Sequence, residues 1–268
     1  MPLLESRLGE HPCFGRCGSG VSGRIHLPVA PKCNVQCAFC DRKYDCANES
    51  RPGVTSKVLT PEQAVLRAKK ALAAEPRIRV IGIAGPGDPL ANPETFETFR
   101  LVSKEIPEAV LCLSTNGLLL EEKMDEVLDC GVDTLTVTVN TLRAETAAQI
   151  YSYVTSESGC LSGLAAGEYL VNKQRMALER CAREKCVVKI NTVLIPGIND
   201  GEIEEIAKMA KLYGCTVMNV MPLIPCGAMK ERRAPELEEL LETRETVKRY
   251  LPILAHCRQC RADAVGII

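Results

Sequence analysis

Apolar runs of strand length and amphipathic runs of helical period take turns along most of this chain. RIHLPVA (24–30) is the first strand candidate. Thr60-Pro61-Glu62-Gln63 then marks a helix start, with Thr at the N-cap, Pro at the first helical position and Gln closing a capping box. Val65, Ala68 and Leu72 give that helix its apolar face. RIRVIGIAG (77–85) is the second strand, Asn92-Pro93 opens a second helix, and AVLCLSTNG (109–117) is the third strand. Leu120, Met124, Val127 and Leu128 fall at i, i+4, i+7 and i+8, which marks one face of a further helix. VDTLTVTVN (132–140) and CVVKINTVLIPG (186–197) follow as strands four and five. Ile203, Ile206, Ala207 and Ala210 line the next helix, CTVMNVMPL (215–223) is strand six, and a charged helix near 234–250 closes the series. The segment 141–185 has the weakest pattern and reads as two helical pieces joined by the Gly/Ser-rich SESGCLSG.

Strand and helix in alternation imply a parallel sheet, because parallel neighbours need a crossover connection. Six βα units suit a barrel, a partial barrel or a doubly wound sheet, and each of these works at the carboxyl ends of its strands. The chemically unusual residues fall at those ends. A cysteine-rich loop follows strand one, GPGDP (85–89) follows strand two, and STNG (114–117) follows strand three. Asn140 ends strand four, Asn191 lies within five, and Met221-Pro222 sits at six.

A chain of 268 residues with 46% hydrophobic content has enough material for one large domain with a sizeable core. Lys plus Arg number 33 against 34 Asp plus Glu, so no general electrostatic pull toward nucleic acid or anionic lipid is expected. Zero Trp and 4% aromatics also argue against base-stacking platforms. The start, MPLLESRLGEHPCFG, lacks a basic segment followed by an apolar run, and nowhere do eighteen apolar residues run together. A cytoplasmic, soluble monomer is the expectation. In that setting fifteen cysteines are not a disulfide framework. Cys130, Cys181, Cys186 and Cys215 lie in or beside apolar runs and read as core. Cys160 and Cys226 lie in Gly-bearing loops and stay undecided.

The cysteine loop reads CNVQCAFCDRKYDCANES (33–50), and Cys33, Cys37 and Cys40 form C-x3-C-x2-C. Three thiolates from one short loop can hold three irons of a four-iron cluster and leave the fourth iron open for substrate. Zinc is the competing reading, although it is usually held by paired C-x2-C units. Gly18, Gly20 and Gly23 satisfy G-x-G-x-x-G, but a strand follows them where the dinucleotide fingerprint needs a helix. Arg42, Lys43 and Arg51 flank the thiols; a solvated basic face is the ordinary reading, and offsetting cluster charge the functional one. The three histidines are also placed unusually: His11 and His256 lie within two residues of a cysteine, and His26 is on the strand that feeds the loop. By strand period Cys112 shares a face with Ser114.

This spacing, directly after the first strand of a βα series, resembles the radical S-adenosylmethionine (SAM) enzymes. The resemblance implies an α/β fold, a partial (βα)6 TIM-like barrel, here with N- and C-terminal cluster-binding extensions. It implies one domain over 1–268, made of a ligand arm (1–23), a barrel core (24–223) and a C-terminal helix with a cysteine-bearing tail (224–268). Cys33, Cys37 and Cys40 would hold the [4Fe-4S] cluster whose open iron chelates SAM and splits its sulfonium to a 5′-deoxyadenosyl radical. Gly85, Pro86, Gly87 and Asp88 match the glycine-rich turn that meets the methionine amino group, with Asp where many members have Glu. Ser114, Thr115, Asn116, Asn140 and Asn191 fall where the family contacts ribose and carboxylate, with ordinary turn and cap residues as the alternative. Met221, on the rim at strand six, is a further cofactor-binding candidate.

The run APKCNVQCAFCDRKYDCANESRPGV into LTPEQAV, with HPC near the start, INTVLIPGIND and the closing CRQCRADAVG, is similar more narrowly to the maturases of this superfamily that build the nitrogenase cofactor precursor. That resemblance implies three [4Fe-4S] clusters, the radical cluster and two called K1 and K2. K1 and K2 are fused with a SAM-derived carbon and an added sulfur into an eight-iron carbide core. One SAM gives its methyl to a cluster sulfide and a second supplies the radical that abstracts hydrogen from it. Carried onto this chain, the further ligands are His11, Cys13, His26, Cys46, Cys112, Cys257 and Cys260, with Cys17 outside the matched pattern. Implied partners are cluster donor proteins, a low-potential electron donor and a carrier or scaffold for the product. The sequence stops soon after CRQC, with no room for the C-terminal domain of many relatives, so the product is expected to pass to another protein. The alternatives are a radical SAM enzyme with auxiliary clusters acting on an organic substrate, and a zinc-binding structural protein.

Overall fold

The computed structural model describes residues 11–14, 22–48, 55, 57–254, 257 and 261–267. The main sheet contains β1 (Gly23–His26), β3 (Ile78–Ile83), β4 (Val110–Thr115), β5 (Thr134–Thr138), β8 (Val187–Leu194) and β9 (Val217–Pro222), parallel and in that order. These are the six strands the hydrophobic runs predict. A seventh, β10 (Val265–Ile267), pairs antiparallel with the outer edge of β1. Crossover helices α1 (Pro61–Ala74), α2 (Pro93–Glu105), α3 (Met124–Asp129), α5 (Gly163–Arg183) and α6 (Ile203–Leu212) connect the strands, and α7 (Leu237–Lys248) follows β9. The architecture is an α/β partial barrel of the TIM-like kind. No helix of the described residues is long and apolar enough to cross a membrane.

Two faces of the sheet have different chemistry. Ile25, Ile81, Ile83, Leu111, Leu113, Leu135, Val137, Val188, Ile190, Met218 and Val220 join the helices in the main core. Strand period turns the residues between them to the inner face: His26, Gly82, Cys112, Thr134, Thr136, Lys189, Asn191 and Asn219. A buried inner face rich in polar groups must pair them or bind something.

Helix α1 begins as its sequence dictates: Thr60 caps Gln63 N, and the Gln63 side chain returns to Thr60 N. Such a cap contributes about 1 kcal/mol. Elsewhere the structure departs from the pattern. Leu120 lies in a turn before α3, and Leu128 faces solvent at 38% exposure, so only Leu120, Met124 and Val127 form the predicted face. Segment 141–185 contains α4 (Ala144–Ile150), then a hairpin of β6 (Tyr151–Ser156) and β7 (Gly159–Leu161), then α5. The β-rich YSYVT and the Gly159 turn, at φ +120, make a hairpin where the end of a helical piece and a Gly/Ser-rich joint were expected. Helix α5 lies so close on α4 that a Cβ at Gly167 would stand 2.2 Å from Ala144 O.

The hairpin has a purpose in the architecture. It pairs with β2 (Val35–Cys37), which is the cysteine loop itself, in a second sheet ordered β2-β6-β7. The segment 261–267 returns to the start of the barrel: Ala264 O accepts from His26 N at 2.8 Å, and Gly266 O accepts from Arg24 at 3.1 Å. Ala262 N donates to Asp45 Oδ2 at 3.3 Å, while Asp45 Oδ1 takes Thr55 N at 3.1 Å and the Thr55 hydroxyl.

Candidate active site

Strand pairing fixes the cysteine loop. Cys37 is in register with Tyr151, Ala38 N donates to Ile150 O at 2.8 Å, and Cys40 N closes a turn onto Cys37 O at 3.0 Å. The Gln36 amide donates to Cys37 O at 3.1 Å and Cys40 O at 2.8 Å. Arg42 locks Gln36 in turn, through Oε1 at 2.8 Å, and reaches Val35 O at 2.6 Å. Gly227, at φ +56, lies against this loop, where a Cβ would be 2.8 Å from Ala38 O. Cys33, Cys37 and Cys40 then line a cavity of about 260 Å³ whose other walls include Pro86, Gly87, Asp88, Ser114, Thr115 and Asn116.

Burial pushes all three thiols up; at Cys40 the neighbouring Arg42 partly offsets it. Thiolates are stable in such a place only beside compensating positive charge, which a bound metal would supply. Donors for sulfur charge are present: Asn48 Nδ2 stands 3.3 Å from Cys37 Sγ and 3.8 Å from Cys46 Sγ, and Asn116 Nδ2 stands 3.9 Å from Cys33 Sγ. Of the basic flank, Arg42 faces the thiols, whereas Lys43 pairs with Asp41 at 3.0 Å in solvent. The described residues hold no group of three or more His, Cys, Asp or Glu already gathered for one metal ion. The residues present fit a thiolate-held cluster in their donor set: three sulfurs on one wall, with amide and guanidinium groups behind them.

The GPGDP turn faces the sulfurs. Gly87 N donates to Ala30 O at 2.6 Å and Asp88 N to Lys32 O at 2.9 Å, which binds the turn to the residues just before Cys33. Asn92 clamps the same place, accepting from Lys32 N at 3.0 Å and donating to Lys32 O at 2.8 Å. Asp88 is buried, and its carboxylate is occupied. Leu90 N donates at 3.0 Å, Asn116 N at 2.7 Å and the Thr115 hydroxyl at 3.0 Å. Asp88 thus ties the second rim turn to the third.

Burial holds the Asp88 carboxyl up at about 6, above its ordinary 3.8, despite donors that pull it down. Between those values the folded chain keeps a proton that the unfolded chain has lost. The stability this group contributes is therefore present below pH 3.8 and lost as pH rises to about 6. In paired unfolding measurements, the parent's stability relative to Asp88→Asn falls by roughly 3 kcal/mol across that window. A difference that does not vary with pH would contradict the assignment.

Inside the barrel, His26, Gly82 and Cys112 form one row of Cα partners across β1, β3 and β4. Two strand spacings put His26 and Cys112 about 10 Å apart. The glycine between them leaves space: a Cβ there would lie 3.0 Å from the His26 ring. His26 Nδ1 is 3.0 Å from Arg261 O. A carbonyl only accepts, so Nδ1 carries the hydrogen and Nε2 has the free lone pair, the arrangement of a metal-ready imidazole. Burial, then the Arg24 charge, holds its pKa down to about 4, so the ring is neutral.

His11 is arranged differently. Its Nδ1 accepts Cys13 N at 3.0 Å, so the hydrogen of the neutral ring is on Nε2, which is buried without a partner. Burial, Lys189 and His26 hold it down to about 3. Phe14 lies 5.8 Å below the Lys189 ammonium, so the arm bearing Cys13 enters the inner face near His26. At the far side Asn219 Nδ2 donates to Cys257 Sγ at 3.3 Å and Asn191 Oδ1 at 3.2 Å. Asn191 Nδ2 donates to Asn48 O at 3.3 Å.

Ser114, Thr115 and Asn116 thus line the cavity with the three cysteines, and Cys46 lies on the same lining. Asn140, Asn191 and Met221 are buried outside that lining; the two amides support Asn48, and Met221 packs in the second core with Cys37. Cys260, like His256 and Cys17, lies outside the described residues. Cys130, Cys181 and Cys215 are core, with Cys186 packed against it. Cys160 is exposed on β7 and Cys226 half-buried before Gly227. Asn48, Lys189, Asn219 and Gly227 carry no motif. The signal for Lys189 and Asn219 was inward parity on a strand.

Comparison with known proteins adds three findings. The Radical SAM superfamily pattern matches residues 27–210. FeMo cofactor biosynthesis protein NifB of Klebsiella pneumoniae is 46% identical over 100% of this chain and 58% of its own length. The protein of that name from Methanocaldococcus infernus is 44% identical over 100% of this chain and 89% of its own. The chain spans just over half the length of several such relatives. Among solved structures, a radical SAM methyltransferase from Sphaerobacter thermophilus superposes with a TM-score of 0.59 at 20% identity, covering 87% of this chain and 64% of that one, a likeness of fold.

Proposed function

Since the chain belongs to the Radical SAM superfamily and, within it, to the FeMo cofactor biosynthesis proteins NifB, we propose that it is a radical SAM maturase of the nitrogenase cofactor precursor. Its resident cofactors are a [4Fe-4S] cluster on Cys33, Cys37 and Cys40, and SAM in the cavity that these thiols share with the GPGDP and STNG turns. When bound, that pair supplies reductive cleavage of the sulfonium. Its cluster substrates are K1 and K2, joined through a SAM-derived carbon and an added sulfur. The observation that carries this reading is the single cavity lined by three C-x3-C-x2-C thiols and both rim turns.

The chain's own groups do the positioning. Asn116 and Asp88 hold the STNG turn against the GPGDP turn, so the methionine and ribose ends of SAM meet preformed backbone. His26, Cys46, Cys112, Cys13, Cys257 and Cys260 are the candidate ligands for K1 and K2, with His11 a further candidate. A neutral imidazole is displaced more easily than a thiolate, which suits a cluster that must leave its ligands on fusion. Cluster donor proteins, a low-potential electron donor and a carrier for the product are the partners this activity needs.

Metal analysis after anaerobic purification and reconstitution tests the reading. About twelve irons per chain are expected, from three four-iron clusters. One or two zincs in place of iron would sink it. So would full iron with no 5′-deoxyadenosine formed from SAM and reductant.

A further inference from the structure

Resting on that reading, we propose that the Asn48 carboxamide is a shared positioning and tuning group, donating at once to a ligand of the radical cluster, Cys37, and to a ligand of a neighbouring cluster, Cys46. Asn48 is 4% exposed and has two amide hydrogens, one for each sulfur. Its orientation follows from the network and not from assignment of its oxygen and nitrogen alone. Asn140 Oδ1 is taken by Val193 N at 2.9 Å, so Asn140 presents Nδ2 to Asn48 at 3.1 Å. Asn48 must answer with Oδ1, which turns Nδ2 toward Cys37 at 3.3 Å and Cys46 at 3.8 Å. Asn191 holds the backbone from below by donating to Asn48 O.

Hydrogen bonds to cluster sulfurs stabilise the more negative, reduced state and so raise the potential. A carboxamide does this without adding charge or competing for iron. A carboxylate of the same shape repels both sulfurs. One residue therefore touches the electron-delivering cluster and its neighbour, and a change in charge on Cys46 is felt at Cys37 through a single amide.

The test uses Asn48→Asp, which keeps the acceptor for Asn140 and loses both donors, and Asn48→Ser, which keeps one donor on a shorter stem. Iron content is measured, and the radical cluster is titrated with SAM bound, by its paramagnetic signal against potential. At the potential that half-reduces the parent, the reduced-to-oxidised ratio of Asn48→Asp falls roughly tenfold, about 59 mV for one electron. Asn48→Ser falls between. Unchanged midpoints in both variants at full iron overturn the proposal, whatever happens to thermal stability. If the aspartate variant takes up no radical cluster, the serine midpoint alone decides. A parent without any cluster dependent on Cys33, Cys37 and Cys40 would overturn the proposed function instead.

Discussion

Replacing Cys37 by alanine removes about four irons per chain and abolishes 5′-deoxyadenosine formation from SAM. The size of the effect follows from the ligand count: a cluster held by three thiolates has no spare anchor. The fold should survive, because Cys37 packs with Val35, Phe39 and Tyr151 in an apolar cluster and alanine leaves only a small gap there. Loss of one buried sulfur costs about 1 kcal/mol. Iron assay, product chromatography and far-UV circular dichroism together check the expectation. Retained cleavage in a folded variant would remove Cys37 from the site.

The second large effect is expected at Gly87. An alanine Cβ there would meet Lys32 O at 2.2 Å, Lys32 C at 2.6 Å and Pro31 O at 2.8 Å, all backbone atoms. No rotamer change relieves a backbone clash, so either the GPGDP turn or the strand end leading to Cys33 must move. Overpacking of this kind costs roughly 1–3 kcal/mol. If that cost falls on the bound state, SAM affinity drops between about fivefold and 150-fold. Equilibrium dialysis of Gly87→Ala with SAM measures it, with iron content as the control. An unaltered affinity would mean the turn does not meet the cofactor.

Much of this site was legible in the sequence because it lies in contiguous motifs. C-x3-C-x2-C, GPGDP and STNG each name their own position, and strand alternation places them on one rim. The six parallel strands were legible for the same reason, since each is a run of aliphatic residues. What escaped was non-local or depended on parity. The hairpin that carries β2 was hidden because YSYVT is short and its partner strand is 114–119 residues earlier in the chain. Leu128 was assigned to the apolar face by helical period, but it lies within the six-residue α3 on the side turned to solvent. Asn48 lies inside a run already dense with thiols, and its bonds to Asn140 and Asn191 span 92 and 143 residues. No spacing rule connects positions so far apart. The distinction between His26 and His11 is likewise invisible in sequence, because it rests on whether Nδ1 faces a carbonyl, as in His26, or a backbone amide, as in His11.

The segment 261–267 is held by residues near the other end of the barrel, with separations of 235 residues for Arg261 to His26 and 217 for Ala262 to Asp45. Bringing such distant partners together costs about 5 kcal/mol in closure entropy. Local βα pairings incur far less and form earlier on this ground. The seventh strand therefore acts as a latch that clicks shut after the rest of the sheet has assembled. Until it does, the Arg261 carbonyl that fixes the hydrogen on His26 Nδ1, and so leaves Nε2 as the lone-pair nitrogen, is not in place.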